Sequence, residues 1–184
     1  MIYQFLAEGF EEIEAFTPLD ILRRAGVEVE TVSITDNQVV LGAHGIPVVA
    51  ERILPAIDWD DCDMIILPGG LPGSTNLDAC EELRNGIQQL YEAGKPLAAI
   101  CAAPQVYGHM GLLKGKKATC YPGVESELEG ATYTGALVEV DGQFITGKGP
   151  GASFEFGYTI AEMLVGKEKV DALRDGMIYS ELKG

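Results

Sequence analysis

The sequence predicts an α/β sandwich in which helices pack on both faces of a mainly parallel central sheet. Two short and fully apolar runs, Met64 to Leu67 and Leu97 to Ile100, are typical of buried central strands. Amphipathic stretches separate such runs, as expected for helices that connect parallel strands. The alternation continues without a linker, a low-complexity segment or an internal repeat, so we expect residues 1–184 to form a single domain.

The first elements follow the same order of strand and helix. Ile2 to Ala7 is predicted to be a short buried strand, and Glu11 to Arg24 a helix that ends near Gly26. Pro18 should kink this helix or mark a break near its first turn. Apolar residues at every third position predict the inner face of the helix: Ile13, Phe16, Leu19 and Leu22.

The remaining elements continue the pattern to the end of the chain. The predicted strands and hairpins are Val27 to Ile34, Val39 to Leu41 with Ile46 to Val49, and Val138 to Val140 with Phe144 to Thr146. The predicted helices are Glu81 to Ala93, Phe154 to Leu164 and Lys167 to Leu173. Because sites in such folds form beyond the carboxyl ends of the strands, we expect functional residues directly after the apolar runs.

Composition and charge exclude several classes of partner. The chain has 184 residues, 47% of them hydrophobic, with 28 acidic and 13 basic side chains and a formal net charge of -15. Such a charge repels phosphate backbones and anionic lipid, so we expect no nucleic-acid partner. The apolar runs are too short to span a bilayer and the first residues do not resemble a signal peptide. We therefore expect a soluble, cytoplasmic protein with no membrane contact.

The four cysteines give no metal-binding pattern. Cys62, Cys80, Cys101 and Cys120 are widely spaced, with no C-x-x-C pair and no nearby histidine. In a reducing compartment they are free thiols, and each is by default a small buried hydrophobic residue. We expect no zinc site and no cofactor.

Cys101 differs from the other cysteines because it follows an apolar strand directly. A residue at a tight strand-to-helix turn is pushed outward above the sheet, and the small residues Ala99 and Ala103 are compatible with this nucleophile elbow. A helix that begins there would favour the thiolate and lower the pKa of the cysteine. The local pattern alone equally fits a buried cysteine in a junction of small residues.

Backbone and side-chain partners for a reactive thiol are also present. Neighbouring strand ends lie side by side, so N–H groups near Gly69 and Gly70, with that of Ala102, could form an oxyanion hole. A Pro-Gly-Gly turn without such a function is the more common meaning of this tripeptide. Neither histidine is clearly placed as a base: His44 lies in a predicted hairpin, and His109 lies two helical turns beyond Cys101.

Acidic residues crowd the junction between the first strand and the first helix. Glu8, Glu11, Glu12 and Glu14 lie there, and acids ordinarily stabilise a helix N-terminus. A carboxyl group at the same sheet edge as a thiol could instead stay protonated and donate a hydrogen bond to the sulfur. Only one of the four acids needs to face inward for this role.

Five segments together resemble the ThiJ/PfpI superfamily, and within it the branch of the Parkinson's-associated deglycase. They are GFEEIE at 9–14, RRAG at 23–26, LPGG at 67–70, AICA at 99–102 and GPGASFEF at 149–156. The segments occur in order through nearly the whole chain. Each one is weak alone, but the combination is highly specific.

The resemblance implies a flavodoxin-like sandwich, a homodimer and an oxidation-prone nucleophilic cysteine, which corresponds to Cys101. Glu14 then matches the glutamic acid that hydrogen-bonds the sulfur, and Gly70 and Ala102 match the backbone donors. Gly149 and Pro150 match a segment that lines the site near the dimer interface.

One position departs from the family pattern. Many relatives carry a histidine after the nucleophile helix, whereas this chain has Tyr121 there. A phenol is a poor base at neutral pH but can hydrogen-bond a substrate carbonyl. Protease-like relatives have a histidine directly after the cysteine, and here that residue is Ala102, which argues against peptidase activity.

Two functions fit these residues. In the first, the Cys101 thiolate adds to a small 2-oxoaldehyde such as methylglyoxal, Glu14 transfers protons, and water releases a hydroxy acid. Release of the same adduct from glycated amines, or deglycation, is a variant that the sequence does not separate. In the alternative, the chain is an oxidative-stress sensor or holdase that works through oxidation of Cys101.

Overall fold

The computed structural model describes residues 1–183 and shows the expected α/β sandwich. Its central sheet has seven strands in the order β10-β11-β7-β6-β1-β2-β5. These strands are β1 Ile2–Leu6, β2 Val29–Ser33, β5 Arg52–Ile53, β6 Met64–Leu67, β7 Leu97–Ile100, β10 Val138–Asp141 and β11 Phe144–Gly147. Every neighbouring pair is parallel except β10 with β11. The prediction of a mainly parallel sheet is confirmed.

In the described residues six α-helices cover the two faces of the sheet, with one large apolar core on each face and a small third cluster around Phe10. Helices α2 Gly73–Ala79, α3 Glu81–Glu92 and α4 Pro104–His109 contribute buried side chains to one core. The other core contains side chains from α1 Glu12–Arg24, α5 Ser153–Val165 and α6 Lys167–Gly176. The central strands β1, β6 and β7 are buried on both faces because each face carries one of these cores.

Two small two-stranded sheets lie outside the central one. Strands β3 Val39–Leu41 and β4 Pro47–Val49 form the predicted antiparallel hairpin, and β8 Lys117–Ala118 pairs with β9 Thr132–Tyr133. The hairpin joins the start of α1 through hydrogen bonds from Gly9 N–H to the Leu41 carbonyl and from Ala43 N–H to the Phe10 carbonyl.

The inner face of α1 differs from the prediction. The side chain of Ile13 is exposed, whereas Glu14, Ala15, Leu19 and Leu22 are buried. A spacing of three residues drifts around a helix that has about 3.6 residues per turn, so the stripe that faces the core includes Glu14 instead of Ile13.

Helix α1 also runs through Pro18 without a break, in contrast to one of the two expected effects of this proline. Its predicted end is confirmed, since the helix stops at Arg24 and Gly26 adopts a left-handed φ of 77°.

The sheet brings the functional segments together. Strands β1, β6 and β7 are adjacent and parallel, so their carboxyl ends lie at one edge. The residues that follow them are the acidic start of α1, the Gly69-Gly70 turn and Cys101. No helix in the described part of the chain is long and apolar enough to cross a membrane.

Candidate active site

Cys101 sits at a strained turn directly after β7. Its φ is 66°, in the left-handed region that a residue with a side chain rarely adopts. Cys101 N–H donates to the Gly147 carbonyl at 2.9 Å, and the Cys101 carbonyl accepts from Tyr121 N–H at 2.9 Å. These bonds to two neighbouring segments fix the turn, which is the geometry of a nucleophile elbow. The residue is only 8% exposed.

Glu14 reaches the thiol from the opposite side, from the first turn of α1. It is fully buried, its Oε2 accepts a hydrogen bond from Gly69 N–H at 2.9 Å, and hydrogen bonding with the neighbouring Cys101 thiol lowers its pKa. Oε1 has no hydrogen-bond partner among the described residues. The carboxyl group therefore keeps one oxygen available for the sulfur, a proton or a bound molecule.

Gly69 allows this close approach of carboxyl and thiol. A Cβ atom at position 69 would lie 2.5 Å from Glu14 Oε2 and 2.6 Å from Cys101 Cβ, distances that real side chains do not reach. The sequence suggested that N–H groups at this turn face the sulfur. In the structure Gly69 donates to Glu14, and it is Gly70, with a left-handed φ of 88°, that acts with Ala102 on the sulfur.

The two ionisable groups control each other's protonation. Burial raises the pKa of Glu14 to about 7, against the opposing effect of its hydrogen bonds with Cys101 and Gly69. Burial also raises the pKa of the Cys101 thiol, and so do the charge of Glu14 and its hydrogen bond, whereas the N–H groups of Gly70 and Ala102 lower it. The pair therefore holds one negative charge at a time near neutral pH.

The expected lowering of the Cys101 pKa by a helix N-terminus is wrong for this site. Helix α4 begins only at Pro104 and has six residues, so its dipole is small beside the effects of burial and of Glu14. The local sequence around Cys101 does not reveal that the thiol is buried, because burial depends on segments remote in the sequence.

Tyr121, Gly149 and Pro150 line a single pocket of about 300 Å³. The ring of Tyr121 lies over the backbone of Gly149, where a Cβ atom would be 3.0 Å from Tyr121 Cδ2. Cys101 is outside the pocket wall but is one backbone hydrogen bond away from Tyr121. The structure thus brings the three residues predicted to bind substrate together in one pocket, and joins one of them to the backbone of Cys101.

The two histidines have partners other than Cys101. His109 bridges Asp78 Oδ2 at 2.6 Å and Glu127 Oε2 at 2.8 Å, and these hydrogen bonds raise its pKa. It joins α2, α4 and the turn at Glu127, which is a packing role.

His44 Nδ1 lies 2.7 Å from Glu12 Oε2, and the hydrogen bond with Glu12 raises the pKa of this exposed histidine. Together with Glu11, these residues place ligand atoms within 4.8 Å of one another, a spacing that a cation could use. Glu12 already accepts two hydrogen bonds from His44, so the cluster is satisfied by its own members.

Comparison with known proteins shows similarity along most of the chain. The model of the DJ-1/PfpI family matches residues 1–163. Protein dj-1beta of Drosophila melanogaster is 35% identical over 177 residues, 95% of this chain and 95% of that protein. Deglycase PYRAB04690 of Pyrococcus abyssi is 32% identical over 148 residues, covering 79% of this chain and 87% of the relative.

Protein DJ-1 homolog B of Arabidopsis thaliana is 45% identical over 167 residues, 89% of this chain. The match covers only 38% of homolog B. The match to Protein DJ-1 homolog A of the same organism covers 43% of homolog A, so the chain spans less than half the length of these two proteins.

Solved structures agree with the fold. The structure titled "Toxoplasma gondii DJ-1, oxidized" has a TM-score of 0.92 at 32% identity and covers 96% of this chain and 97% of that one. Drosophila melanogaster DJ-1beta has a TM-score of 0.91 at 33% identity, with 96% of each chain covered. The flavodoxin-like architecture implied by the sequence resemblance is confirmed.

The shared proton predicts an unusual pH dependence for alkylation of Cys101. As pH rises through about 7, the pair loses one proton and the thiolate fraction rises, then stays level until the second proton leaves. The rate with iodoacetamide, followed by mass spectrometry, should show a step near pH 7. In Glu14→Gln the step should disappear, because only the thiol then titrates.

Cys80 is the matched control for this experiment. Of the four cysteines, all of which the structure describes, Cys80 alone is partly exposed. Partial burial is the main cause that raises its pKa. Its alkylation should rise steadily through neutral pH in both proteins. A step near pH 7 that persists in Glu14→Gln would show that another group controls the thiol.

Proposed function

This chain belongs to the DJ-1/PfpI family, and from that premise we propose that it is a cysteine-dependent enzyme acting on methylglyoxal-type 2-oxoaldehydes or their adducts. The observation that carries the proposal is the buried pair of Cys101 and Glu14 at the sheet edge. A relative that is 32% identical bears the name deglycase, which supports chemistry on such adducts.

The first step needs a nucleophile and a base in contact. Glu14, with a pKa of about 7, takes the thiol proton as the Cys101 sulfur attacks the aldehyde carbon. The N–H groups of Gly70 and Ala102, which favour negative charge on the sulfur, then stabilise the oxyanion of the hemithioacetal. The proton held by Glu14 neutralises that oxyanion.

The second stage moves a proton between the two substrate carbons. Glu14 removes the proton from the former aldehyde carbon and returns it to the neighbouring carbon, which converts the hemithioacetal into a thioester of the hydroxy acid. Water then cleaves the thioester, so that methylglyoxal and water give lactate and the free thiol. No oxidant or reductant is consumed.

Tyr121 and the pocket hold the rest of the substrate. Tyr121 is half exposed beside the backbone of Gly149, and in this proposal its phenol hydrogen-bonds the second carbonyl. Gly149 and Pro150 line the same pocket as Tyr121.

Four free thiols suit a reducing compartment, and we propose the cytoplasm as the location.

The proposed enzyme activity predicts that the protein forms lactate and that this reaction requires Cys101. Purified protein with methylglyoxal at neutral pH and without glutathione should form lactate, and Cys101→Ser should form none. Glu14→Gln should lower turnover by about 100-fold, since it removes the proton carrier but keeps a group that can accept from Gly69. Cys80→Ser should retain activity, and full activity in Cys101→Ser would refute the proposal.

A second candidate function is oxidation sensing, which one observation favours. The N–H groups that act on the Cys101 sulfur, together with Glu14, could hold the oxygens of a sulfinate. Cys80 also has two backbone donors, from Glu82 and Leu83, but Cys101 has in addition a hydrogen-bonded carboxyl group. In this reading peroxide oxidises the thiol in two steps, each of which releases water, and turnover is not required.

The oxidation-sensing hypothesis predicts that peroxide oxidises Cys101 selectively among the four cysteines. Modest peroxide should add the mass of two oxygens at Cys101 alone, and Glu14→Gln should lower the yield of the sulfinate. Peptide mass spectrometry measures both. Equal oxidation of the four cysteines would exclude this role, whereas selective oxidation without lactate formation would favour it over the enzyme.

We also propose that two copies of the chain form a homodimer through the start of α1 and the β3–β4 hairpin. Apolar side chains are exposed on these adjacent segments: Ile13, Val39, Leu41, Ile46 and Val49. Large apolar side chains exposed on neighbouring segments are typical of protein interfaces.

The dimer proposal predicts a solution mass of twice 19.7 kDa by light scattering. Val49→Glu places a charge in the proposed interface and should weaken association by roughly 30-fold. Val140→Glu, on the edge strand β10, is the control and should remain dimeric, since Val140 is exposed outside the patch. A wild-type monomer at micromolar concentration would rule out the dimer.

A further inference from the structure

We propose that Gln4 is a positioning residue: from β1 it holds the first turn of α1, and with it the Glu14 carboxyl group, against the Cys101 thiol. This role rests on the proposed function, in which Glu14 carries the protons. The effect of Glu14 on the thiol can nevertheless be measured without any substrate.

Gln4 is a fully buried amide in an otherwise apolar part of the sheet. Ile2 and Leu6 lie on the same face of β1 and are buried, and the register partner of Gln4 on β6 is the buried Ile66. Gln4 Nε2 donates to the Ala15 carbonyl at 2.9 Å, whereas Oε1 has no hydrogen-bond partner among the described residues. The bond that the amide makes there therefore leads to α1.

Stability alone does not account for a glutamine at this position. A buried amide oxygen without a partner is unfavourable, and the bond to Ala15 offsets only part of that cost. An apolar side chain of similar size would suit the surrounding isoleucine and leucine side chains better. A side chain that costs stability where it lies is typical of residues that serve function instead.

Pro18 explains why this part of α1 needs an external support. In an α-helix each carbonyl accepts the N–H of the residue four positions later. Pro18 lies inside α1 and has no N–H, so the Glu14 carbonyl lacks its intrahelical donor. The interruption falls on the residue that carries the carboxyl group of the site. Gln4 bonds the next carbonyl, that of Ala15, and ties this turn to the central sheet.

Glu14 thus lies between two anchors on the backbone of α1. On one side Glu11 N–H donates to the Gly69 carbonyl at 3.0 Å, and on the other side the Ala15 carbonyl accepts from Gln4. Gly69 N–H also holds the Glu14 carboxyl group itself. Both anchors belong to strands, or to turns directly after strands, whose ends form the site. Proton transfer depends on such placement, because a displacement of about 1 Å can remove much of the rate.

The first test is the pH dependence of Cys101 alkylation in Gln4→Met. Methionine has nearly the length of glutamine but no N–H to donate. The step near pH 7 should lose at least about half of its height, because Glu14 is no longer held at the sulfur. Thermal stability should stay the same or rise, since the unpartnered buried oxygen is removed as well.

Ile2→Val is the matched control on the same face of the same strand. It shortens a buried side chain, so it should lower thermal stability, but it leaves the bond from Gln4 to Ala15 intact and should keep the full step. A purely structural Gln4 would give the reverse pattern in Gln4→Met: lower stability with a wild-type step. That result would overturn the inference, and so would a wild type without a step. Gln4→Leu replaces Gln4→Met if the latter does not fold.

Pro18→Ala tests the reason for the support. Alanine restores the N–H that the Glu14 carbonyl lacks, so α1 can then hold its own first turn. Added to Gln4→Met, it should return most of the height of the alkylation step. A double variant that behaves like Gln4→Met would contradict the role assigned to Gln4.

Lactate formation separates this inference from the proposed function. Gln4→Met should lower kcat roughly 10-fold and change KM by less than about 2-fold, because it displaces the proton carrier and leaves the pocket intact. If the wild type forms no lactate, the proposed function fails, and the alkylation profile alone decides the role of Gln4. If the wild type forms lactate and Gln4→Met keeps both its kcat and the full step, only the inference about Gln4 fails.

Discussion

The arrangement of the site depends on one buried contact, the pair formed by the Glu14 carboxyl and the Cys101 thiol. Placing a carboxyl group in the interior is unfavourable for its charged form, and burial accordingly raises the pKa of Glu14 to about 7. The surrounding backbone is shaped to permit the contact: Gly69 leaves out a side chain that would collide with both groups, and Cys101 accepts a left-handed φ. The strained backbone of Cys101 and the buried carboxyl group of Glu14 therefore lie together at the carboxyl ends of β1, β6 and β7.

This pair also explains how a buried thiol can be both stable and reactive. In the resting site burial and Glu14 raise the pKa of the sulfur and so favour the thiol over the thiolate. In the proposed mechanism the same carboxyl group accepts the thiol proton as an electrophile binds, and the N–H groups of Gly70 and Ala102 stabilise the charge that results. Reactivity then depends on the bound electrophile and not on a permanently ionised cysteine.

The sequence predicted the central strands well because full burial leaves a clear apolar signal: Met64–Leu67 and Leu97–Ile100 have the bounds that were expected. Strand β5 has two residues and neither is buried, so no hydrophobic pattern in the sequence predicts it. The inward direction of Glu14 came from the family resemblance, since apolar spacing favoured Ile13 as the inner residue. The separate role of Gly69 depends on distances between segments remote in sequence, which no local pattern contains.

The family resemblance implies a histidine in many relatives at the position of Tyr121, and the electrostatics of Glu14 indicate how this chain could transfer protons without it. A general base works best when its pKa lies near the working pH, and an ordinary histidine meets this condition without help from burial. In this chain burial brings Glu14 to about 7, so the site already contains a group that exchanges protons near neutral pH and in contact with the sulfur. In the proposed mechanism this one group therefore carries the proton transfers. Tyr121 is then left with the proposed role of donor to the substrate carbonyl, from its position beside Gly149 in the pocket wall.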